Sequence, residues 1–285
     1  MPKPSNSAKV AFQGIPGAYS HLACKAAAPD FEPLPCPSFE DAFDAVQTGR
    51  AALGMIPIEN SLAGRVAEIH HLIPGAGLHI VGEHFQRVNH HLLAPPGATL
   101  KTLRTVQSHI QALDQCRETT KKLGLKRVVG ADTAGSAAEI AKANDPTRGA
   151  IASSLAGEIY GLKSLRKDLE DVDHNTTRFV VLSKKPKLAA AKSGPTVTTF
   201  VFRVKNRPAA LYKAMGGFAT NGVNMTKLES YMLGGVFTAT QFYADVEGHP
   251  SEANFAHALE ELGFFSDFVK ILGVYPAHPY RFKGR

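Results

Sequence analysis

Residues 185–195, Lys-Pro-Lys-Leu-Ala-Ala-Ala-Lys-Ser-Gly-Pro, interrupt an otherwise well-patterned chain with small, basic, proline-bounded sequence. A stretch of this composition has too little apolar side chain to hold itself in a core and reads as an exposed linker. It divides the 285 residues into at least two compact units, as their length alone favours. The main boundary is expected at residues 187–195.

Before the linker, apolar strand-like runs at 9–13, 53–58, 88–94, 128–130, 149–152 and 179–182 alternate with helix-like runs. That alternation predicts an α/β architecture with mainly parallel sheets. After it, 196–204 alternates as a strand, and Pro208 opens a helix that Asn221-Gly222 closes. Strands at 224–230 and 236–245, a helix at 251–262 and a strand at 269–274 complete a βαββαβ unit, the ferredoxin-like arrangement. An exposed edge of such a sheet suits pairing with a second copy.

Composition narrows the function classes. The net charge of +7 comes from scattered lysines and arginines, with no basic stripe interleaved with aromatics, so no nucleic-acid surface is read. No run is long enough to span a bilayer, no membrane partner is read, and the polar first seven residues lack the apolar core of a secretory signal. Cys24, Cys36 and Cys116 are odd in number and widely spaced, which suits a reducing cytoplasmic location and neither a disulfide framework nor a zinc site. Six histidines fall between His70 and His91, but adjacent pairs cannot share one face of a helix or strand, so a metal site is disfavoured. No nucleophile elbow or Ser-His-Asp order is present.

Polar chemistry gathers where strands run into helices. Gln13-Gly14-Ile15-Pro16-Gly17-Ala18-Tyr19 follows a strand, and its glycines suit either a tight turn or an anion-binding loop; its spacing fails the dinucleotide fingerprint. Asn60-Ser61, His109 with Gln111, and Thr133 occupy three similar junctions. Each could cap a helix, but together they describe a cleft of donors with few formal charges. In Asn175-Thr176-Thr177-Arg178, hydroxyls and a guanidinium fork run straight into an apolar strand, which suits a small, oxygen-rich anion.

These ordered motifs, with Pro57-Ile58-Glu59-Asn60-Ser61, residues 108–116, Asp132-Thr133-Ala134, Glu158-Ile159-Tyr160-Gly161 and Asn175-x-Thr177-Arg178-Phe179, resemble prephenate dehydratases carrying a C-terminal ACT domain. The resemblance covers nearly the whole chain. It implies a two-lobed, type II periplasmic-binding-protein-like catalytic domain over 8–186, with lobe one at about 8–84 and 178–186 and lobe two at about 85–177. It further implies a ferredoxin-like ACT regulatory domain over 196–278.

The implied activity is a lyase of phenylalanine biosynthesis that turns prephenate into phenylpyruvate by coupled decarboxylation and dehydration. Aromatisation drives that reaction, so no cofactor or metal is required. By the resemblance, Thr177 is the essential threonine, hydrogen-bonded to the leaving hydroxyl, and Arg178 meets a carboxylate. Tyr19, Asn60, Ser61, His109, Gln111, Thr133 and Thr176 are candidate substrate contacts, and Glu59 a structural hydrogen-bond partner. Ala209, Ala210 and Leu211, with Asn224, Met225 and Thr226, match the two ACT motifs that bind phenylalanine as feedback inhibitor between paired domains. Ala209 stands where glycine is usual, and Tyr231-Met232 where Arg-Pro is frequent. A homodimer or homotetramer through ACT domains follows, and the short N-terminal tail leaves no room for a helical chorismate mutase module. The rivals are a two-lobed amino-acid sensor without catalysis and a nicotinamide-dependent enzyme of the same pathway.

Overall fold

The structure is a computed structural model that describes residues 8–233 and 236–283. A first sheet has the order β2-β1-β3-β11-β5, built from β1 (Lys9–Gln13), β2 (Glu32–Cys36), β3 (Leu53–Asn60), β5 (His79–Arg87) and β11 (Thr176–Ser183). The two-residue β4 (Gly64–Arg65) folds back on β3 with Arg65 opposite Glu59. Among its helices, α1 (Tyr19–Ala27) follows β1, α2 (Phe39–Gln47) follows β2, and α3 (Ala67–Leu72) follows β4.

A second sheet has the order β10-β6-β9-β7-β8, from β6 (His91–Ala94), β7 (Thr105–Ser108), β8 (Lys126–Val129), β9 (Arg148–Ala152) and β10 (Lys163–Arg166). Between these strands lie α4 (Ile110–Gln115), α5 (Arg117–Lys122), α6 (Thr133–Ala143) and α7 (Ser154–Tyr160). Leu92, Val106, Leu113, Cys116, Ile151 and Leu169 share one buried cluster there. The sheets are mixed rather than mainly parallel. β7 runs parallel to β8 and β9, but β6 runs antiparallel to β9. β10 also runs antiparallel to β6.

Residues 184–195 carry no helix or strand and are mostly exposed. Beyond them lie β12 (Thr196–Val204), α8 (Ala210–Thr220), β13 (Met225–Leu233), β14 (Val236–Glu247), α9 (Ala253–Phe265) and β15 (Ser266–Pro276). The order β13-β14-β12-β15, all antiparallel, is the ferredoxin-like topology. Phe200, Phe202, Phe218, Phe242 and Phe255 fill the core between sheet and helices.

The chain divides by internal contacts into two units that interleave in sequence. The first comprises the chain up to Ala45, Met55–Val66 and Phe85–Phe179, and the second Val46–Gly54, Ala67–His84 and everything from Val180 onward. Within the second unit the sheet face opposite α8 and α9 is covered by α3 and β5. Tyr231 and Tyr243 hold their rings edge-on to His70. Gly273 lies so close to Ile80 that a Cβ there would strike its carbonyl. Glu83 on β5 takes a two-pronged ion pair from Arg281, in the 3₁₀ turn Pro279–Phe282, at 2.6 and 2.8 Å. Arg281 also lies 3.6 Å from Asp245, whose other oxygen accepts from Thr199.

Ala209 opens α8 with φ 60°, a left-handed geometry that costs an L-residue about 1 kcal/mol relative to glycine. Ala209→Gly is therefore expected to raise the stability of the C-terminal unit by about 1 kcal/mol, read as a higher urea midpoint at unchanged slope. An unchanged or lower midpoint would show that the loop carries no such strain.

Candidate active site

The polar junctions converge on a cavity of about 460 Å³ lying wholly within the first unit. Tyr19, at the start of α1, and Asn60, at the end of β3, line it with Thr177 of β11. From the elements around the second sheet come His90 just before β6, His109, Gln111 and Gln115 of α4 and its cap, and Asp132 and Thr133 at the start of α6. Val66, Val88 and Ala112 supply apolar wall, and Arg65 of β4 completes the rim.

Asn60 organises the side bearing Thr177. Its Oδ1 accepts from the backbone N–H groups of Leu62 (3.0 Å) and Ala63 (2.8 Å), which fixes the amide orientation. Its Nδ2 therefore donates, to Asn175 Oδ1 at 2.7 Å and Thr177 Oγ1 at 3.0 Å. With a lone pair of Thr177 occupied, that hydroxyl keeps its own proton for the cavity.

The network continues on the far side. Asn175 Nδ2 donates to Gln115 Oε1 at 2.8 Å, and the same oxygen faces His90 Nε2 at 2.9 Å. An acceptor there requires His90 Nε2 to carry a hydrogen, which leaves Nδ1 to accept from the Tyr19 hydroxyl at 2.9 Å. The Tyr19 hydroxyl also reaches the Asn89 carbonyl at 2.7 Å, so one proton serves two acceptors. Burial holds the Tyr19 phenol well above its ordinary pKa, with Glu170 and then Cys116 adding to it. Burial lowers His90, against the opposing pull of Gln115 and Glu170. Both groups are thus neutral near pH 7.

Burial is also the main cause that lowers His21, His91 and His278. Below the ordinary histidine pKa of 6.5 the unfolded chain binds protons that the folded chain resists, so stability is present above that pH and is lost as pH falls through the depressed values. The urea midpoint is expected to drop between pH 7.5 and 5.5. A midpoint flat over that range would contradict the assignment of these rings as partly buried and neutral.

Two helix starts face the cavity. Asp132 caps α6 by accepting from Gly135 N at 2.7 Å, and His109 Nδ1 accepts from Gln111 N at 3.3 Å at the start of α4. The glycine loop before α1 serves packing instead of the cavity. Gly17 has φ +94°, a Cβ there would lie 2.8 Å from Ala156 Cα, and Ser153 Oγ donates to its carbonyl. The loop sits on α7 and in doing so sets Tyr19 in the wall.

Tyr19, Asn60, His109, Gln111, Thr133 and Thr177 are thus brought together, and three other candidates are not. Ser61 accepts from Thr176 N at 3.0 Å and donates to the His174 carbonyl at 2.8 Å, bracing the chain beneath the cavity. Thr176 is buried behind it. Arg178 is 3% exposed and its Nη1 meets Glu59 Oε1 at 2.9 Å, so it anchors β11 to β3 where a direct meeting with a ligand carboxylate was expected. Glu59 has the structural role anticipated for it. Sequence reasoning missed His90, Gln115 and Arg65. The first lay hidden among neighbouring histidines, and nothing local marks the other two.

Among the C-terminal candidates, Ala209, Ala210 and Leu211 border one hollow of about 280 Å³. Met225 and Thr226 border another, of about 440 Å³, and Asn224 a third. Among the described residues the two motifs border different hollows. Tyr231, where the resemblance leads one to look for arginine, is buried, accepts from Gln241 Nε2 at 2.5 Å and lies edge-on to both His70 and His71.

A cleft lined by polar donors, two helix starts and the hydroxyls of Thr133 and Thr177 marks a small-molecule site in an α/β fold. The sequence matches the family model for prephenate dehydratase over residues 10–187. It is 54% identical over 96% of its length to a bifunctional N-acyl-homoserine lactone acylase/prephenate dehydratase of Komagataeibacter europaeus, covering 98% of that protein. It is 40% identical over 94% of its length to arogenate dehydratase/prephenate dehydratase 2 of Arabidopsis thaliana, covering 72% of that protein. Among solved structures, a prephenate dehydratase of Arthrobacter aurescens in complex with L-Phe superposes with a TM-score of 0.86 at 29% identity, over 94% of this chain and 90% of that one. The chain belongs to the prephenate dehydratase family and is a lyase of that family.

Proposed function

We propose that the cavity binds prephenate and that Thr177 supplies the hydrogen bond that helps its ring hydroxyl depart. The observation that carries this reading is the Asn60 clamp, which leaves the Thr177 hydroxyl as a donor aimed at the cavity. As the carbon–carbon bond to the ring carboxylate breaks, its electron pair enters the ring and expels the hydroxyl. The products are carbon dioxide, phenylpyruvate and, with one proton taken from solvent, water. A donor held in place before charge builds on the departing oxygen stabilises the transition state more than the ground state. A threonine hydroxyl is too weak an acid to give up its proton outright near pH 7, so its part is donation without transfer. The Thr133 hydroxyl, beside the Asp132 cap of α6, suits one carboxylate oxygen.

In this reading residues 8–186 are the catalytic domain, with lobes at about 8–84 plus 178–186 and at about 85–177, 187–195 the linker, and 196–278 an ACT domain. Phenylalanine inhibits by seating between the ACT domains of two copies, one giving Ala209, Ala210 and Leu211 and the other Asn224, Met225 and Thr226. The separate hollows in one copy support that division, and a dimer or tetramer follows from it. Cys24, Cys36 and Cys116 are buried and form no disulfide, which suits the reducing cytoplasm. Burial pushes the Cys24 thiol up to about 12. Phenylpyruvate formation from prephenate, assayed with and without L-phenylalanine and repeated with arogenate, tests the scheme. Turnover of prephenate that phenylalanine suppresses is expected; turnover indifferent to phenylalanine would overturn the regulatory part.

A further inference from the structure

Charge bookkeeping around the cavity points to a residue that the motifs do not mark. This step rests on the reading of the cavity as a prephenate site. Prephenate is a dianion, and a carboxylate moved into a half-enclosed cleft without a cation or a full set of donors loses more hydration than it regains. One carboxylate has the Thr133 hydroxyl. The other needs a partner, and Arg178 is committed to Glu59 behind the wall. His90 is neutral, and Asp132 adds negative charge. Among the described residues that line the cavity, Arg65 is the sole lysine or arginine.

The local structure also suits Arg65 to the task. It sits on the exposed two-residue strand β4, directly across from Glu59 on β3. Side chains opposed in this way project to the same face of the sheet, a few ångströms apart. Glu59 is one-third exposed and already neutralised by Arg178 from the buried side. Arg178 meets Glu59 from the buried side, so Arg65 brings its guanidinium to the exposed side of the same strand pair, at the rim of the cavity. A planar fork of donors there matches a carboxylate in two-pronged fashion.

We infer that Arg65 is the carboxylate-binding residue of the substrate site, with Glu59 as the residue that positions it. The carboxylate it takes is the pyruvyl one, which survives the reaction, so its contribution is made equally to bound substrate and transition state and governs KM more than kcat. Steady-state turnover of prephenate by wild type, Arg65→Gln and Arg65→Lys tests this. Arg65→Gln is expected to raise KM by about 10- to 100-fold with kcat within a few-fold, and Arg65→Lys to restore part of the loss. The fall of kcat/KM with added salt, expected in the wild type, is expected to flatten in Arg65→Gln. A KM within twofold of wild type in Arg65→Gln would overturn the assignment while leaving the functional reading intact. Absence of turnover by the folded wild type would overturn the functional reading and the assignment with it.

Discussion

Thr177→Val is expected to lower kcat for prephenate by about 10²–10³-fold, the usual cost of removing one preorganised donor, with little change in binding. Valine keeps the shape and β-branching that suit β11 and removes only the hydroxyl. Asn60 Nδ2 would still donate to Asn175 Oδ1, and its Oδ1 would still be held by Leu62 and Ala63, so the wall should persist. Thr177→Ser keeps the donor and is expected to stay within about tenfold of wild type, since what it loses is rotamer restriction. The comparison separates enzyme from sensor. A protein built only to bind loses affinity when a ligand contact goes, whereas a donor used on the departing oxygen costs turnover. A valine variant that turns over normally, or one that fails only through weaker binding, would remove Thr177 from the mechanism.

Arg281→Met is expected to cost about 3–5 kcal/mol, the usual result of stripping one partner from a buried ion pair. Glu83 and Asp245 have fully buried side chains, and Arg281 brings charge to both from a turn near the end of the chain. Its loss leaves two carboxylates in the interior with weaker compensation. The urea midpoint of Arg281→Met should fall well below that of wild type, and Glu83→Leu in the same background should recover part of the deficit because the orphaned charge is gone. A double variant as unstable as the sum of the two single variants would show that these side chains act independently. This cluster ties β5 to the C-terminal sheet within one unit, so its weakening should also loosen the seat of Tyr231 and Tyr243 on His70.

The legible and illegible parts of the fold differ for physical reasons. β1 and β12 are readable to the residue because each is an uninterrupted run of strand formers bounded by turn residues, and Asn221-Gly222 closes α8 with Gly222, not Asn221, in the left-handed region at φ 63°. β2 was missed because Pro33 and Pro35 sit inside it. Proline is tolerated there because β2 is an edge strand of the first sheet. β5 was missed because its histidines drew attention to metal chemistry, while its apolar alternation is broken by Gly82 and Glu83. Glu83 sits in a strand for a reason that lies some 200 residues away, in Arg281.

The site followed the same rule. Residues beside strand ends, such as Asn60, His109 and Thr133, announce themselves by local sequence. The links that give them meaning do not. Asn60 meets Thr177 across 117 positions, and Tyr19 meets His90 across 71. Arg178 looked like a ligand fork because sequence shows its donors and hides Glu59, which occupies them. Arg65 carried no local signal, because its place at the rim is set by a two-residue strand folding back on β3.

The account rests most directly on the mass balance of prephenate turnover by the purified chain in buffer containing a chelator and no added nucleotide. Aromatisation supplies the driving force, so phenylpyruvate and carbon dioxide should appear in equal amounts, with one proton taken up per turnover and all of it slowed about 10²–10³-fold in Thr177→Val. Tight binding of prephenate by folded wild type with no product formed would contradict the account and leave a two-lobed sensor in its place.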